Sequence, residues 1–334
     1  MREILVIRFS SLGDLCLLGA ALARRADRSE APQRVTLVTK AAFAPLMRMM
    51  RGVHEVLELR DSGAGELGRL AGEIQSRRWD EVIDAHGTLR SALLLARCGL
   101  RPDARIAMDT AARLALLRWR LASRQLERTM SDRFDDLFGQ AGSGVETRPA
   151  LRTDAAGGEL RLGIAPGAQW ASKQWPEDRF AALLDSFAAS SGAPASVFLG
   201  PRETGWYAGS TVERAVASHG HCEVISDCPL PDVAGELARC SLLATNDSGL
   251  MHLAEAVGTP VVALFGPTVR QWGFFPRLPG SVVVETPLEC RPCSRNGKRE
   301  CHRGDLACLQ HIEVDEVLAR VLDAAPWPAR RELP

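Results

Sequence analysis

Short runs of β-branched and other apolar residues alternate with longer amphipathic segments along almost the whole chain, and this alternation constrains the fold most. The runs predict strands at 4–9, 35–39, 56–59, 81–85 and 105–108, and again at 160–165, 195–199, 223–226, 241–245 and 261–265. Helical patterns separate most of them. This βαβ rhythm is typical of a mainly parallel sheet covered by helices on both faces.

The rhythm stops once, at "GQAGSGVETRPALRTDAAGG", residues 139–158. Its Gly, Ala, Ser and Pro content predicts an interdomain linker. A chain of 334 residues is also long enough for about two domains. The sequence therefore predicts an α/β protein with two Rossmann-like domains, 1–145 and 158–334, joined by a linker at about 139–158. In such sheets, ligands bind outside the carboxyl ends of the strands.

Composition excludes several classes of protein. An apolar fraction of 46% predicts a folded globular chain, and no apolar run approaches the ~18 residues that span a bilayer. The N-terminus, "MREILVIRFSSLGD", carries charges within its apolar run, so it predicts a first strand and not a signal peptide. We therefore expect a cytoplasmic protein.

The zero net charge hides an asymmetry between the two halves. Residues 1–150 contain 24 basic and 19 acidic residues, and ten arginines face four acids between His86 and Arg133. The segment "RLALLRWRLASRQLER" suits an amphipathic helix whose basic face would meet an anionic lipid surface or an anionic acceptor. The alternative is an ordinary solvated helix face. We expect no nucleic-acid binding, because the arginines lack interleaved aromatic residues.

Three strand-to-helix junctions carry residues suited to chemistry. "RFSSLGD" places Asp14 at the start of a helix, where its carboxylate is a candidate general base or a stabilising helix-terminal acid. "APGAQWASKQWPEDRF" contains Lys173, an isolated lysine that would suit a phosphate or simply the surface. "FLGPRETGW" places Glu203 where it would accept hydrogen bonds from a ribose diol.

A fourth junction lies in "TNDSGLMHLAEAVGTPVVALFGPT", residues 245–268. An apolar strand breaks at small polar residues and a helix follows, so the unpaired N–H groups of the helix N-terminus would attract an anion. The alternative is a capped turn, with Asp247 or Ser248 as the N-cap and His252 packed in the helix.

Together, these junctions and "WDEVIDAHGTLRSALL" at 79–94 resemble glycosyltransferase family 9, which includes the ADP-heptose:lipopolysaccharide heptosyltransferases. The resemblance runs over nearly the whole chain, and the 245–268 motif is its most specific part. It implies a GT-B architecture, with the acceptor on the first domain and an ADP-sugar donor on the second, facing across a cleft. It also implies inverting transfer without a required cofactor, to an anionic glycolipid, the lipopolysaccharide inner core. Peripheral contact with the inner membrane would follow.

The resemblance also assigns roles by residue. Asp14 would be the catalytic base that takes the proton of the acceptor hydroxyl. The donor-binding residues would be Lys173, Glu203, Asp247, Ser248, Gly249 and His252. The acceptor is expected near Ser11, Gly13, Arg113, Arg118 and Arg120. Rival hypotheses are a transferase of the same fold with another donor or acceptor, and a catalytically silent nucleotide-sugar-binding or redox-responsive protein.

Four of the nine cysteines lie within nineteen residues: Cys290, Cys293, Cys301 and Cys308. They could supply four thiolates to a structural Zn²⁺, although the second pair lacks the tight spacing of a zinc ribbon. Free thiols or a labile disulfide is the other interpretation. Neither is needed for glycosyl transfer.

Overall fold

The computed structural model describes residues 1–61, 63–140, 149–153 and 160–328, which form two parallel sheets with helices packed around each. The predicted α/β class and its two Rossmann-like sheets are confirmed. The predicted linker lies largely outside the described residues, so the two domain boundaries stay predictions.

The first sheet has five strands in the order β3-β2-β1-β4-β5. Its central strand β1 pairs in parallel with β2 on one side and β4 on the other, and it is fully buried over its last four residues. The strands are β1 Arg2–Ile7, β2 Gln33–Lys40, β3 Glu55–Leu59, β4 Glu81–Asp84 and β5 Ala104–Arg105.

The second sheet has six strands in the order β11-β10-β9-β6-β7-β8. The sequence predicted five of them and missed the edge strand β11, whose only signal is the β-branched run "SVVVE" at 281–285. The strands are β6 Leu162–Ala165, β7 Ala195–Phe198, β8 Cys222–Ile225, β9 Leu242–Asn246, β10 Val261–Phe265 and β11 Val282–Glu285.

Helices follow most of the strands. In the first domain they are α1 Leu12–Arg28, α2 Ala44–Met47, α3 Ala64–Gln75, α4 Leu89–Cys98, α5 Thr110–Trp119 and α6 Met130–Leu137. In the second domain they are α7 Glu177–Ser190, α8 Thr204–Tyr207, α9 Thr211–His219, α10 Leu230–Ala238, α11 Gly249–Val257, α12 Ala307–Gln310 and α13 Val314–Asp323. None of the helices in the described ranges is long and apolar enough to cross a bilayer.

The two domains share a packed interface. Helix α1 of the first domain packs against α11 of the second, and one apolar cluster includes Leu15 and Met50 together with Met251 and Val257. This contact places the carboxyl end of β1 opposite that of β9. The candidate active site lies at this junction.

Candidate active site between the two domains

Asp14 is fixed at the first turn of α1, directly after the central strand of the first sheet. Its Oδ2 accepts hydrogen bonds from Ser11 Oγ at 2.7 Å and Ser11 N at 3.2 Å, so Ser11 and Asp14 form a capping box. Arg8 Nη2 lies 2.7 Å from the same oxygen, in a salt bridge that is largely buried. These contacts all involve one carboxylate oxygen of Asp14, and its side chain is 14% exposed.

On the second domain, strand β9 ends and helix α11 begins across Asn246-Asp247-Ser248. Ser248 is the N-cap residue of α11, but its side chain makes no capping hydrogen bond. Asn246 Oδ1 accepts from Trp175 N at 2.9 Å and its Nδ2 donates to Pro166 O at 2.7 Å. The junction between β9 and α11 is therefore hydrogen-bonded to the loop after β6. Because the Ser248 side chain does not cap α11, the N–H groups at the N-terminus of this helix stay available for an anion.

Lys173 comes from that loop and lies at the same junction. Its Nζ is 2.6 Å from Asp247 Oδ2, which also accepts from Thr268 Oγ1 at 2.6 Å. Both charged side chains are mostly buried, at 14% and 8% exposed. The lysine charge is thus placed next to the N-terminus of α11 and balanced by one carboxylate.

Glu203 follows β7 and is 7% exposed. Two glycines make room for it: a Cβ on Gly167 would lie 2.3 Å from Glu203 Cδ, and one on Gly200 would lie 2.6 Å from its Oε2. Such distances are impossible for real side chains, so the carboxylate packs directly on the bare backbone of the loop after β6. The junctions after β6, β7 and β9 therefore converge at one edge of the second sheet.

The two halves of the site touch where α1 and α11 begin. A Cβ on Gly13 would lie 2.5 Å from His252 Cδ2, and one on Gly249 would lie 3.1 Å from the side chain of Leu12. His252 is buried, and burial lowers its pKa, which favours the neutral imidazole. Among the described residues, its Nδ1 has no hydrogen-bond partner.

The three predicted acceptor arginines lie in different environments. Arg113 is buried, and its Nη2 donates to Trp272 O of the second domain at 3.2 Å. Burial, and then the nearby arginines 133 and 295, lower its pKa to about 10. Arg120 donates to the carbonyl oxygens of Cys290 and Pro292. Arg118 is exposed. The basic face predicted for the segment 113–128 is therefore not one solvated surface, because Arg113 and Arg120 contact the second domain.

Sequence reasoning assigned no role to two further residues beside Asp14. Arg8 makes the salt bridge above and donates from Nη1 to Ala85 O at 2.7 Å. His86 follows β4, the neighbour of β1, and its ring lies 4.9 Å from that of Phe9. Burial, and then the charge of Arg8, lower the pKa of His86 to about 4. The available signal was the position of both residues just after adjacent strands.

The four clustered cysteines are free thiols. Burial raises the pKa of Cys293, and that of Cys308 to about 11, so both favour the protonated form. Within the part of the chain that the structure describes, no group of three or more His, Cys, Asp or Glu side chains is arranged to hold a metal ion. Structural zinc stays a prediction.

Two Rossmann-like sheets whose carboxyl edges meet, with a carboxylate on one and a cation beside a helix N-terminus on the other, are the arrangement expected of a GT-B glycosyltransferase. Residues 67–303 match the model of "Glycosyltransferase family 9 (heptosyltransferase)". The chain belongs to this family and is an enzyme, a glycosyltransferase, as its sequence predicted.

Individual relatives agree with this assignment. The chain is 28% identical to lipopolysaccharide heptosyltransferase 1 of Pseudomonas aeruginosa, over 87% of this chain and 86% of that protein. It is 26% identical to lipopolysaccharide heptosyltransferase 2 of Escherichia coli, over 80% of this chain and 83% of that protein.

Solved structures confirm the architecture. A family 9 glycosyltransferase from Veillonella parvula superposes with a TM-score of 0.74 at 20% identity, covering 97% of each chain. The E. coli heptosyltransferase WaaC with ADP gives 0.71 at 22% identity, covering 97% of this chain and all of the other. The predicted GT-B fold is confirmed. The role of each site residue stays a prediction.

Proposed function

We propose that this enzyme transfers heptose from an ADP-sugar to a hydroxyl of the lipopolysaccharide inner core, with inversion at the anomeric carbon. The names of its relatives support the donor and acceptor. One structural observation carries the proposal. The contact of α1 with α11 sets the carboxylate of Asp14 opposite the cation of Lys173 and the uncapped N-terminus of α11.

The donor occupies the junctions of the second domain in this proposal. The diphosphate lies on Lys173 and on the N–H groups of Ser248 and Gly249, where the helix dipole also favours an anion. Asp247 holds the lysine in place through their 2.6 Å ion pair. Glu203 accepts hydrogen bonds from the ribose, and His252 packs beside the sugar as a neutral imidazole.

The acceptor hydroxyl lies beside Asp14 in this proposal. As the oxygen attacks the anomeric carbon, the C–O bond to the diphosphate breaks and the hydroxyl proton passes to the Asp14 carboxylate. A carboxylate can accept that proton while the new bond forms, so no free alkoxide is required. Negative charge grows on the leaving diphosphate, and preorganised donors of this kind are each worth roughly 3 to 4 kcal/mol. Lys173 and the α11 N–H groups supply them.

The first domain receives an anionic glycolipid in this proposal. It carries the excess of arginines, and Arg118 is the exposed member of the predicted acceptor group. Because a glycolipid acceptor lies in a membrane, the enzyme acts as a peripheral protein on the cytoplasmic face of the inner membrane.

The direct test is incubation of the purified enzyme with ADP-heptose and truncated lipopolysaccharide acceptors, followed by mass spectrometry of the glycolipid. We expect one added heptose. Asp14→Asn should lower turnover by about two to four orders of magnitude, the range for loss of a general base, while ADP affinity stays near wild type. Asp27→Asn, at the exposed end of the same helix, is the matched control. Wild-type turnover in Asp14→Asn would remove Asp14 from the mechanism.

The donor site has its own test. Lys173→Ala should weaken ADP by roughly 1.5 to 3 kcal/mol, the scale of a charge-assisted hydrogen bond. Lys298→Ala removes an exposed lysine and serves as the control. Calorimetry with ADP and with other nucleoside diphosphates measures both the site and its base preference. Equal affinity in both variants would overturn the placement of the diphosphate.

A further inference from the structure

The side chain of Lys173 lies across a loop that sequence reasoning connected only with metal or redox chemistry. We call residues 286–306, between β11 and α12, the cysteine loop. A Cβ on Gly297 of this loop would lie 2.7 Å from Lys173 Cγ and 2.9 Å from its Cδ and Cε. Ser172 Oγ also donates to Gly297 O at 2.5 Å. The aliphatic part of Lys173 therefore rests on bare backbone, which only glycine provides.

The first domain binds the same loop through Arg120. Its Nη2 donates to Cys290 O at 2.8 Å and its Nη1 donates to Pro292 O. Arg120 ends α5 with φ 57°, in the left-handed region that favours glycine. This conformation costs a side-chain-bearing residue roughly 1–2 kcal/mol. A residue kept there despite that cost suggests a use for its side chain, and here the guanidinium reaches the other domain.

A second hydrogen-bonded path reaches Gly297 from α5. Arg113 Nη2 donates to Trp272 O at 3.2 Å, and Trp272 Nε1 donates to Ser294 O at 3.1 Å. Ser294 Oγ then accepts from Gly297 N at 2.9 Å. Both paths begin on the first domain and end at the loop beneath the lysine.

The geometry points to Gly297 and Arg120 as positioning residues for Lys173. Arg120 binds the cysteine loop through hydrogen bonds, and the loop packs against the flexible aliphatic chain of Lys173. This packing keeps the lysine ammonium at the N-terminus of α11. A lysine loses rotamer freedom when it binds, and a stem held in advance loses less, so the diphosphate binds more tightly. This inference rests on the proposed function, which places the diphosphate on Lys173. Its consequence is that the first domain sets the affinity of the second for its donor.

Gly297→Ala tests the support beneath the lysine. We expect ADP affinity to fall by about fivefold or more, because the new methyl group must displace the stem. Gly304→Ala is the matched control: Gly304 lies in the same loop at φ +77°, with nothing within 4 Å of its would-be Cβ. Both variants carry similar backbone strain, and only Gly297→Ala meets Lys173. Ser172→Ala provides a variant without new backbone strain if Gly297→Ala fails to fold.

A double-mutant cycle separates this inference from the proposed function. If Gly297 acts through Lys173, Gly297→Ala/Lys173→Ala should bind ADP within twofold of Lys173→Ala alone. If the losses of ADP affinity in Gly297→Ala and Lys173→Ala multiply in the double variant, the positioning role is overturned while the donor site stands. The same holds if Gly297→Ala binds ADP as well as Gly304→Ala does. Unchanged ADP affinity in Lys173→Ala would overturn both.

Arg120→Gly tests the grip of the first domain. Glycine suits the left-handed φ at this position, so the end of α5 keeps its conformation while the guanidinium is lost. We expect ADP affinity to fall by a factor of about three to ten and the loss to disappear in the Lys173→Ala background. Arg124→Ala, at a nearby exposed arginine, should bind ADP as the wild type does. Wild-type ADP affinity in Arg120→Gly would show that the domains do not communicate through this loop.

Discussion

The position of the Glu203 carboxyl depends on two glycines, Gly167 and Gly200, whose lack of a side chain leaves room for it. Because the would-be Cβ of Gly167 overlaps the Glu203 carboxyl at 2.3 Å, Gly167→Ala must move that carboxyl away from the loop after β6. If Glu203 binds the ribose, we expect ADP affinity to fall by about five- to tenfold while inorganic pyrophosphate binds as before. Competition calorimetry with the two ligands measures the difference.

The control for that change lies close by. Gly205, in α8, has nothing within 4 Å of its would-be Cβ, so Gly205→Ala leaves the carboxyl in place and should bind both ligands normally. Parallel losses of ADP and pyrophosphate in Gly167→Ala would mean that the substitution damages the whole edge of the sheet. The ribose assignment of Glu203 would then lack support.

His86 makes the stability of the enzyme depend on pH. Its pKa falls from an ordinary 6.5 to about 4 in the folded protein, because it is half-buried and lies near the charge of Arg8. The unfolded chain therefore binds a proton first, and stability should be lost as the pH drops from about 6.5 to about 4. His252, whose pKa burial also lowers, adds to the same trend.

Urea unfolding at several pH values between 7 and 4.5 measures this effect. As the pH falls, the free energy of unfolding of His86→Gln should decrease less steeply than that of the wild type. The variant lacks a histidine that binds a proton more readily in the unfolded chain than in the folded protein. His221→Gln serves as the control, since His221 is exposed. Equal slopes in wild type and His86→Gln would show that His86 titrates normally in the folded enzyme.

At the scale of helices and strands, the sequence predicted positions well and partners poorly. Asp14, Lys173 and Glu203 could be found because each follows a strand, and strand ends are visible as breaks in an apolar run. That Gly13 meets His252, or that Gly297 lies under Lys173, depends on packing between residues far apart in the chain. No local periodicity contains that information.

Helix α5 shows the same limit. The segment 113–128 predicted one amphipathic helix, but α5 ends at Trp119 and a separate 3-10 helix follows at Arg124–Glu127, so the prediction was wrong beyond residue 119. Arg120 takes a left-handed conformation there, which ends the helix. Within α5, periodicity defines a face without identifying what covers it. Arg113 belongs to the buried side because Trp272 and Met130 accept its hydrogen bonds. Strand β11 was missed because no helical pattern follows it: an irregular, proline-containing loop separates it from α12, so it falls outside the βαβ rhythm.

The contact between α1 and α11 gives a prediction at this scale. A glycine within a helix normally costs stability, so Gly72→Ala, in open space on α3, should stabilise the protein by up to about 1 kcal/mol. Gly13→Ala should do the opposite and lower the free energy of unfolding by roughly 1–3 kcal/mol, because its methyl group overlaps His252 at 2.5 Å. Denaturant unfolding compares them. Stabilisation by both would mean that the two helices do not touch in solution.

Across the whole molecule, exposed apolar residues and positive charge occur on the same domain. The large apolar side chains exposed among the described residues all lie in the first domain: Met1, Leu89, Leu93, Leu114, Trp119 and Leu121. Trp119 and Leu121 are 62% and 60% exposed and flank the end of α5, next to the exposed Arg118. Exposed tryptophan and leucine beside arginine suit the interface of an anionic bilayer.

We therefore expect the enzyme to bind vesicles that contain anionic lipid and to bind neutral vesicles weakly. Trp119→Ser/Leu121→Ser should weaken the binding by about tenfold or more, since burying one large apolar side chain is worth roughly 1.5–3 kcal/mol and tenfold corresponds to about 1.4 kcal/mol. Raised salt should weaken binding of both proteins, because the arginines contribute over a Debye length of about 8 Å at physiological salt. Cosedimentation with vesicles measures all three effects, and ADP calorimetry on the double variant confirms that the donor domain is intact. If the double variant binds anionic vesicles like the wild type, the end of α5 does not contact the membrane, and these side chains are only an exposed helix end.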